Sequence, residues 1–203
     1  MEITEIYPIL NELTTFNGRR TALSNLGLKK LGEGSGRTVF EVDKTRIIKV
    51  AKNPKGQAQN EVEADLSPVS NMFAHVLREG EEDSWLVCQN AKRVSRADFK
   101  IRTGMSFDNF SFMVKQFGAE LKNSAWVDGS LDRDVSFEIE SNLFFISVME
   151  LIAEKDLSAG DLSRINSYGC IGDQVVIIDY GLTHDVFQRF YKKKKVEISS
   201  SGW

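Results

Sequence analysis

Residues 28–51 constrain the fold more than any other part of this 203-residue chain. Gly32, Gly34 and Gly36 fall within five residues, between flanks that suit strands, Leu28–Leu31 and Arg37–Val42. Asp43-Lys-Thr-Arg46 reads as a hairpin turn and Ile47–Ala51 as a returning strand. Glycine lets the backbone turn tightly and approach a ligand closely, and N–H groups in such a turn can cradle phosphate oxygens. A strand rather than a helix follows, which excludes a Rossmann fingerprint. No Gly-Lys-Ser/Thr follows, which excludes a Walker A loop. Taken alone, the loop is equally well read as a plain hairpin turn.

Lys49 is embedded in the apolar run Ile47–Val50, where a charge needs solvent, a partner or a ligand. Glu61 and Glu63 lie on the next predicted helix. With Val62 and Leu66 taken as the buried face, Glu61 falls nearer that face and is the expected partner, Glu63 being held in reserve. Further on, Asp161 and Asn166 stand five positions apart, and Asp179-Tyr-Gly181 begins thirteen positions after Asn166, beyond a predicted hairpin. These are hard oxygen donors of the kind Mg²⁺ takes.

Ile3, Ile6, Leu10 and Leu13 recur at helical spacing within residues 1–26, with Asn17-Gly18 as a stop and a second short helix through Thr21–Leu26. Pro54-Lys-Gly56 breaks the chain before a helix over Gln57–Leu66, with another helical turn through Leu77. Trp85–Cys88 reads as a strand and residues 89–105 as a polar, basic connection carrying Arg93, Arg96, Lys100 and Arg102. Helices follow over Phe107–Leu121 and Val135–Ala153, joined by a polar link around Asp128-Gly129. Glu154–Asn166 reads as a loop, and Cys170–Ile178 as a hairpin turning at Gly172-Asp173. Segregated strands and helices predict an α+β fold with two lobes and a site between them.

The charge balance, 26 Lys and Arg against 29 Asp and Glu, gives no drive toward DNA or an anionic membrane. The basic run Lys192–Lys195 is expected to be a solvated tail. Cys88 and Cys170 make no disulfide framework, which points to a reduced, cytoplasmic setting. His75 and His184 have no metal-ligand spacing with them and read as surface or packing residues. No apolar run is long enough to span a bilayer, and no signal peptide is expected.

Taken in order, these motifs resemble the protein-kinase-like superfamily over about residues 28–185. Gly32, Gly34 and Val39 match the offsets of its G-x-G-x-x-G-x-V loop. Arg37 stands in the third glycine's place and Gly36 lies one residue early. The chain looks most similar to small kinase-like proteins encoded by tailed bacteriophages, through Gly34–Phe40, Ile48–Asn53, Ala58–Glu61 and Ile178–Thr183. The resemblance implies a two-lobed protein-kinase-like fold. Its parts are an N-terminal helical extension (1–27), a strand-rich nucleotide-binding lobe (28–92), a truncated, mainly helical lobe (93–190) and a tail (191–203).

The same resemblance implies ATP and Mg²⁺ as cofactors. Gly32, Gly34, Ser35, Gly36 and Val39 would cover the nucleotide, with Lys49 on its phosphates and Glu61 holding Lys49. Cys88 and Asn90 would hold adenine in a hinge at Val87–Ala91. Asp161 would accept the acceptor's proton, and Asn166 and Asp179 would hold the metal. The acceptor would be a protein or small molecule, a host protein being one candidate. Two departures matter: Ala159 stands where a histidine is usual, and only 22 residues follow Gly181, too few for an activation segment and a peptide-binding platform. The expected function is therefore a minimal or atypical kinase. A pseudokinase-type binding module and AMP transfer on the same fold are the alternatives.

Overall fold

Three antiparallel strands form where the glycine-rich segment predicts them: β1 (Lys29–Glu33), β2 (Arg37–Glu41) and β3 (Arg46–Ala51). Asp43 closes the second turn, its Oδ1 accepting from the backbone N–H of Thr45 at 2.7 Å and of Arg46 at 2.8 Å. The computed structural model describes residues 3–122, 124 and 129–192. Strands β4 (Val76–Glu79) and β5 (Trp85–Gln89) extend the sheet to the order β1-β2-β3-β5-β4. The helical turn expected through Leu77 is a 3₁₀ turn at Ser67–Val69, after which the chain forms edge strand β4, largely exposed, charged and irregular in register.

The N-terminal extension belongs to the core of this lobe. Ile3, Ile6 and Leu10 of α1 (Ile3–Glu12) and Leu23 of α2 (Phe16–Asn25) bury against Phe40, Ile48, Val50, Trp85 and Val87 of the sheet. Asn17-Gly18 does not stop a helix. It lies in the first turn of α2, because the Thr15 hydroxyl accepts from Gly18 N–H at 3.0 Å and caps the N-terminus. Pro54-Lys-Gly56 likewise starts α3 (Pro54–Leu66): Asn53 caps it, and proline suits the first helical position.

Residues 89–105 are not a bare connection; they form β6 (Lys92–Arg93) and α4 (Arg96–Thr103). Helix α4 buries one side chain, Phe99, so its sequence looks uniformly polar. Helix α5 (Phe107–Leu121) has the expected bounds. The helix expected over 135–153 is two, α6 (Arg133–Glu140) and α7 (Leu143–Lys155), because Asn142 caps α7 through the N–H groups of Phe144 and Phe145. Within 154–166 a short helix, α8 (Ala159–Leu162), is followed by a 3₁₀ turn at Ile165–Ser167. The hairpin β7 (Tyr168–Ile171) and β8 (Gln174–Ile177) pairs with β6, and α9 (His184–Phe190) follows. Phe99, Phe107, Phe110, Phe144 and Tyr168 meet at the centre of this lobe with ring centroids 5.1–6.1 Å apart.

Beyond Gly181, Leu182 and Val186, the latter in α9, bury against Ala58 of α3. Asp128, Lys193–Lys195 and the tail through Trp203 lie outside the described residues. Among the described residues no helix is long and apolar enough to cross a membrane.

Candidate active site

A cleft of about 780 Å³ opens between the lobes. Gly34, Ser35, Gly36 and Val39 line it from above, and Asp161, Asn166 and Asp179 line it from below, with Lys49 at its back. The glycine loop is tied down by its carbonyls. Gly34 O accepts from Lys52 Nζ at 3.1 Å, Ser35 O from Asn53 Nδ2 at 2.9 Å, and Gly36 O from Lys52 N–H at 2.7 Å. Lys52 also pairs with Glu33, whose carboxyl Lys52 and Lys30 hold down at about 2.

The three glycines serve different ends. A Cβ on Gly32 would meet nothing within 4 Å, and one on Gly34 only Arg37 O at 4.0 Å; of the two, Gly34 lines the cleft, and its backbone is open to a ligand. A Cβ on Gly36 would sit 2.5 Å from Gln59 Oε1 and 3.2 Å from Gly56 Cα. Gly36 and Gly56 therefore let the loop rest backbone to backbone on the first turn of α3. Gly181 does the same at the other end, where a Cβ would fall 2.4 Å from Gln59 O. Gly56 and Gln59 thus join loop, helix and Asp-Tyr-Gly segment.

Lys49 is 5% exposed and donates to Glu63 Oε2 at 2.5 Å and to Ile178 O at 2.7 Å. Its partner is therefore Glu63 and not Glu61, which is exposed. The reason lies in which face α3 buries. Gly56, Gln59, Asn60 and Glu63, at helical spacing, point inward, whereas Val62 and Leu66 are only partly buried. Glu63 Oε1 accepts from Tyr180 N–H at 3.3 Å and faces Arg37 Nη1 at 2.9 Å. Arg37 Nη2 in turn donates to Asp179 Oδ1 at 2.6 Å. Burial opposes the guanidinium's charge, but Glu63 and Asp179 outweigh it and keep it cationic.

Asp161 sits in α8, which three hydrogen bonds hold by consecutive carbonyls. Ser167 Oγ donates to Asp161 O at 2.7 Å, Tyr168 Oη to Leu162 O at 2.7 Å, and Ser111 Oγ to Ser163 O at 2.8 Å. Gly118 of α5 makes room: a Cβ there would lie 2.4 Å from that of Ala159, the residue in place of the usual histidine. The Asp161 carboxyl is pushed up by burial and by the nearby Asp179 charge, with Arg164 opposing. Tyr180 anchors the next segment, stacking on Phe73 at 4.1 Å and donating to Ala74 O at 3.0 Å.

Asn166 and Asp179 both reach the cleft and offer oxygen donors suited to Mg²⁺. Among the described residues no group of three or more His, Cys, Asp or Glu side chains is arranged to hold a metal, so phosphate oxygens would have to complete the shell. Gly32, Cys88 and Asn90 do not line the cleft. Cys88 is buried within β5, which raises its thiol to about 11, and its backbone belongs to the strand ladder. Asn90 spends its backbone N–H on Thr45 O and its side-chain amide on Asp43 O. The apolar residues lining the cleft beside the glycine loop include Val39, Ile47 and Ile178. The sequence also gives no sign of Tyr191, whose hydroxyl lies 3.5 Å from Ser35 Oγ and 3.4 Å from Gln59 Nε2.

No protein-family model and no curated protein matches the sequence. Similar solved structures include the streptomycin–ATP ternary complex of APH(2")-IIa, at 14% identity over 80% of this chain and 69% of that one, with a TM-score of 0.36. A choline/ethanolamine kinase family protein from Mesorhizobium loti is similar at 17% identity over 88% of this chain and 64% of its own, with a TM-score of 0.41. ADP-bound aminoglycoside phosphotransferase APH(2'')-Ib is similar at 14% identity over 89% of this chain and 71% of its own, with a TM-score of 0.38.

Proposed function

We propose that the chain is an ATP- and Mg²⁺-dependent phosphotransferase of kinase-like fold, acting on a hydroxyl-bearing protein or small molecule. One observation carries this reading: Lys49, held by Glu63 Oε2 and Ile178 O, closes the back of a cleft whose floor is Asp161, Asn166 and Asp179. Lys49 would place its charge on the phosphates, and Glu63 would fix its direction. Val39, Ile47 and Ile178 would receive the base. Asn166 and Asp179 would hold Mg²⁺, which screens the charge of the transferring phosphoryl group. Asp161, its carboxyl pushed up from its ordinary value by burial and the Asp179 charge, would take the proton from the acceptor hydroxyl as the new O–P bond forms and the bond to ADP breaks. The likeness to bacteriophage-encoded proteins, a cytoplasmic setting and a host acceptor belong to this proposal; the structural comparisons do not bear on them.

A binding module without turnover is a second reading, favoured by the ion pair that occupies Asp179. Labelled ATP separates the two, with any phosphate acceptor, the protein itself included. Transfer of γ-label to a hydroxyl supports the kinase reading, transfer of α-label means AMP transfer, and binding without transfer means the module.

A further inference from the structure

Arg37 stands where the sequence pattern leads one to expect a third glycine, and no step above uses it. Its side chain is 9% exposed, yet it touches two acids of the site, Glu63 at 2.9 Å and Asp179 at 2.6 Å. It reaches them from the cleft face of β2. Val39 faces Lys49 across the strand pair, and Arg37, two residues before Val39, shares that face. A guanidinium spans two carboxylates because its N–H groups form a rigid, planar fork; an ammonium is a point charge.

The two acids differ in surroundings. Glu63 is fully buried and has Lys49 as a second cation. The Asp179 side chain is 54% exposed toward the cleft, and Arg37 contacts it from the protein side. Losing Arg37 would therefore cost Glu63 one of its two cations, but would free Asp179 for a cation arriving through the cleft.

We infer that Arg37 is a positioning residue that holds the Asp179 carboxylate until a divalent ion displaces it, with Glu63 keeping the released guanidinium in place. This rests on the reading of Asp179 as a metal ligand. It predicts that metal enters with nucleotide rather than ahead of it, since phosphate oxygens then add to the ligands that compete with the guanidinium.

The test is Mn²⁺ binding, read from the free-ion EPR signal, for wild type, Arg37→Gln, Arg37→Lys and Asp179→Asn, and for Arg37→Gln combined with Asp179→Asn. Each is measured with and without a non-hydrolysable ATP analogue. Without nucleotide, Arg37→Gln should bind Mn²⁺ at least about tenfold tighter than wild type, the scale of a lost charge-assisted hydrogen bond. The gain should vanish in the double variant and shrink when the analogue is present. Arg37→Lys, which keeps the charge but not the fork, should fall between. Equal or weaker Mn²⁺ binding by Arg37→Gln, with Asp179→Asn impaired, overturns the Arg37 role alone. Unimpaired Mn²⁺ binding by Asp179→Asn with the analogue overturns the metal-ligand reading and this inference together. Should Arg37→Gln not fold, ¹⁵N-arginine side-chain NMR of wild type decides. The Arg37 guanidinium signals should move when Mg²⁺ and the analogue are added, and signals that stay put overturn the exchange.

Discussion

Replacing Glu63 by Gln tests the centre of the site, because all three of its partners are donors. Lys49 Nζ faces one oxygen; Arg37 Nη1 and Tyr180 N–H face the other. Glutamine offers one acceptor oxygen and one NH₂ group, so in either orientation a donor is turned against a donor. The carboxylate is fully buried, and the side chains of its two cations are 7% and 9% exposed. Removing one member of a buried ion pair costs about 3–5 kcal/mol, since the remaining charge loses its compensation. For a chain of this size that is a fall in Tm of roughly 6–20 °C. Urea unfolding monitored by circular dichroism gives the free energy, with Glu61→Gln as control. Glu61 is exposed, and its change should stay within about 0.5 kcal/mol. The double variant Lys49→Met with Glu63→Leu should recover part of the stability, because an apolar pair replaces the ionic one and Arg37 keeps Asp179, while Arg37 Nη1 and Tyr180 N–H lose their acceptor. It should recover no nucleotide binding. The reasoning fails if Glu61→Gln costs as much as Glu63→Gln, or if Glu63→Gln costs under about 1 kcal/mol.

Gly56→Ala should destabilise by about 1–3 kcal/mol, because its Cβ would lie 1.9 Å from Gly36 O and force loop and helix apart. Gly34→Ala, with open space around it, should leave urea stability unchanged and weaken ATP binding measured by calorimetry; an equal loss of stability in both variants would contradict the division of labour among the glycines. Asp161 carries a carboxyl raised by burial and by Asp179, so its ionised form is disfavoured on folding. Asp161→Asn should therefore be more stable than wild type at neutral pH. That advantage should shrink as pH falls through the raised pKa and be gone below the ordinary aspartate range; a gap that widens with acid would reverse the sign. Lys49→Met should slow phosphoryl transfer by about 10²–10³ while the protein stays folded, and full activity in that variant would remove Lys49 from the site. Saturating Mg-ATP should raise the wild-type Tm by roughly 5–10 °C, with the Mg²⁺-dependent part absent in Asp179→Asn.

The sequence by itself determined what depends on near neighbours. The strand–glycine turn–strand pattern of 28–51, the 107–121 helix and the 170–178 hairpin follow from periodicity and turn residues a few positions apart. So does the order of Lys49, Asp161, Asn166 and Asp179 along the chain, all of which reach one cleft. Caps reset several boundaries, because Thr15, Asn53 and Asn142 begin helices where glycine, proline or a continuous apolar run suggests otherwise. What tertiary structure alone decided was the rotation of α3. Its inward face is Gly56, Gln59, Asn60 and Glu63, a polar stripe that hydrophobicity cannot reveal. That stripe is buried because its partners come from distant segments: Gly36 and Arg37 from the loop, Lys49 from β3, Asp83 from the turn before β5, and Tyr180-Gly181 from beyond the hairpin. A buried polar face is stable only when its hydrogen-bond and charge partners arrive together. Their arrival is a property of the folded chain, and it selects Glu63 over Glu61 and draws Arg37 into the site.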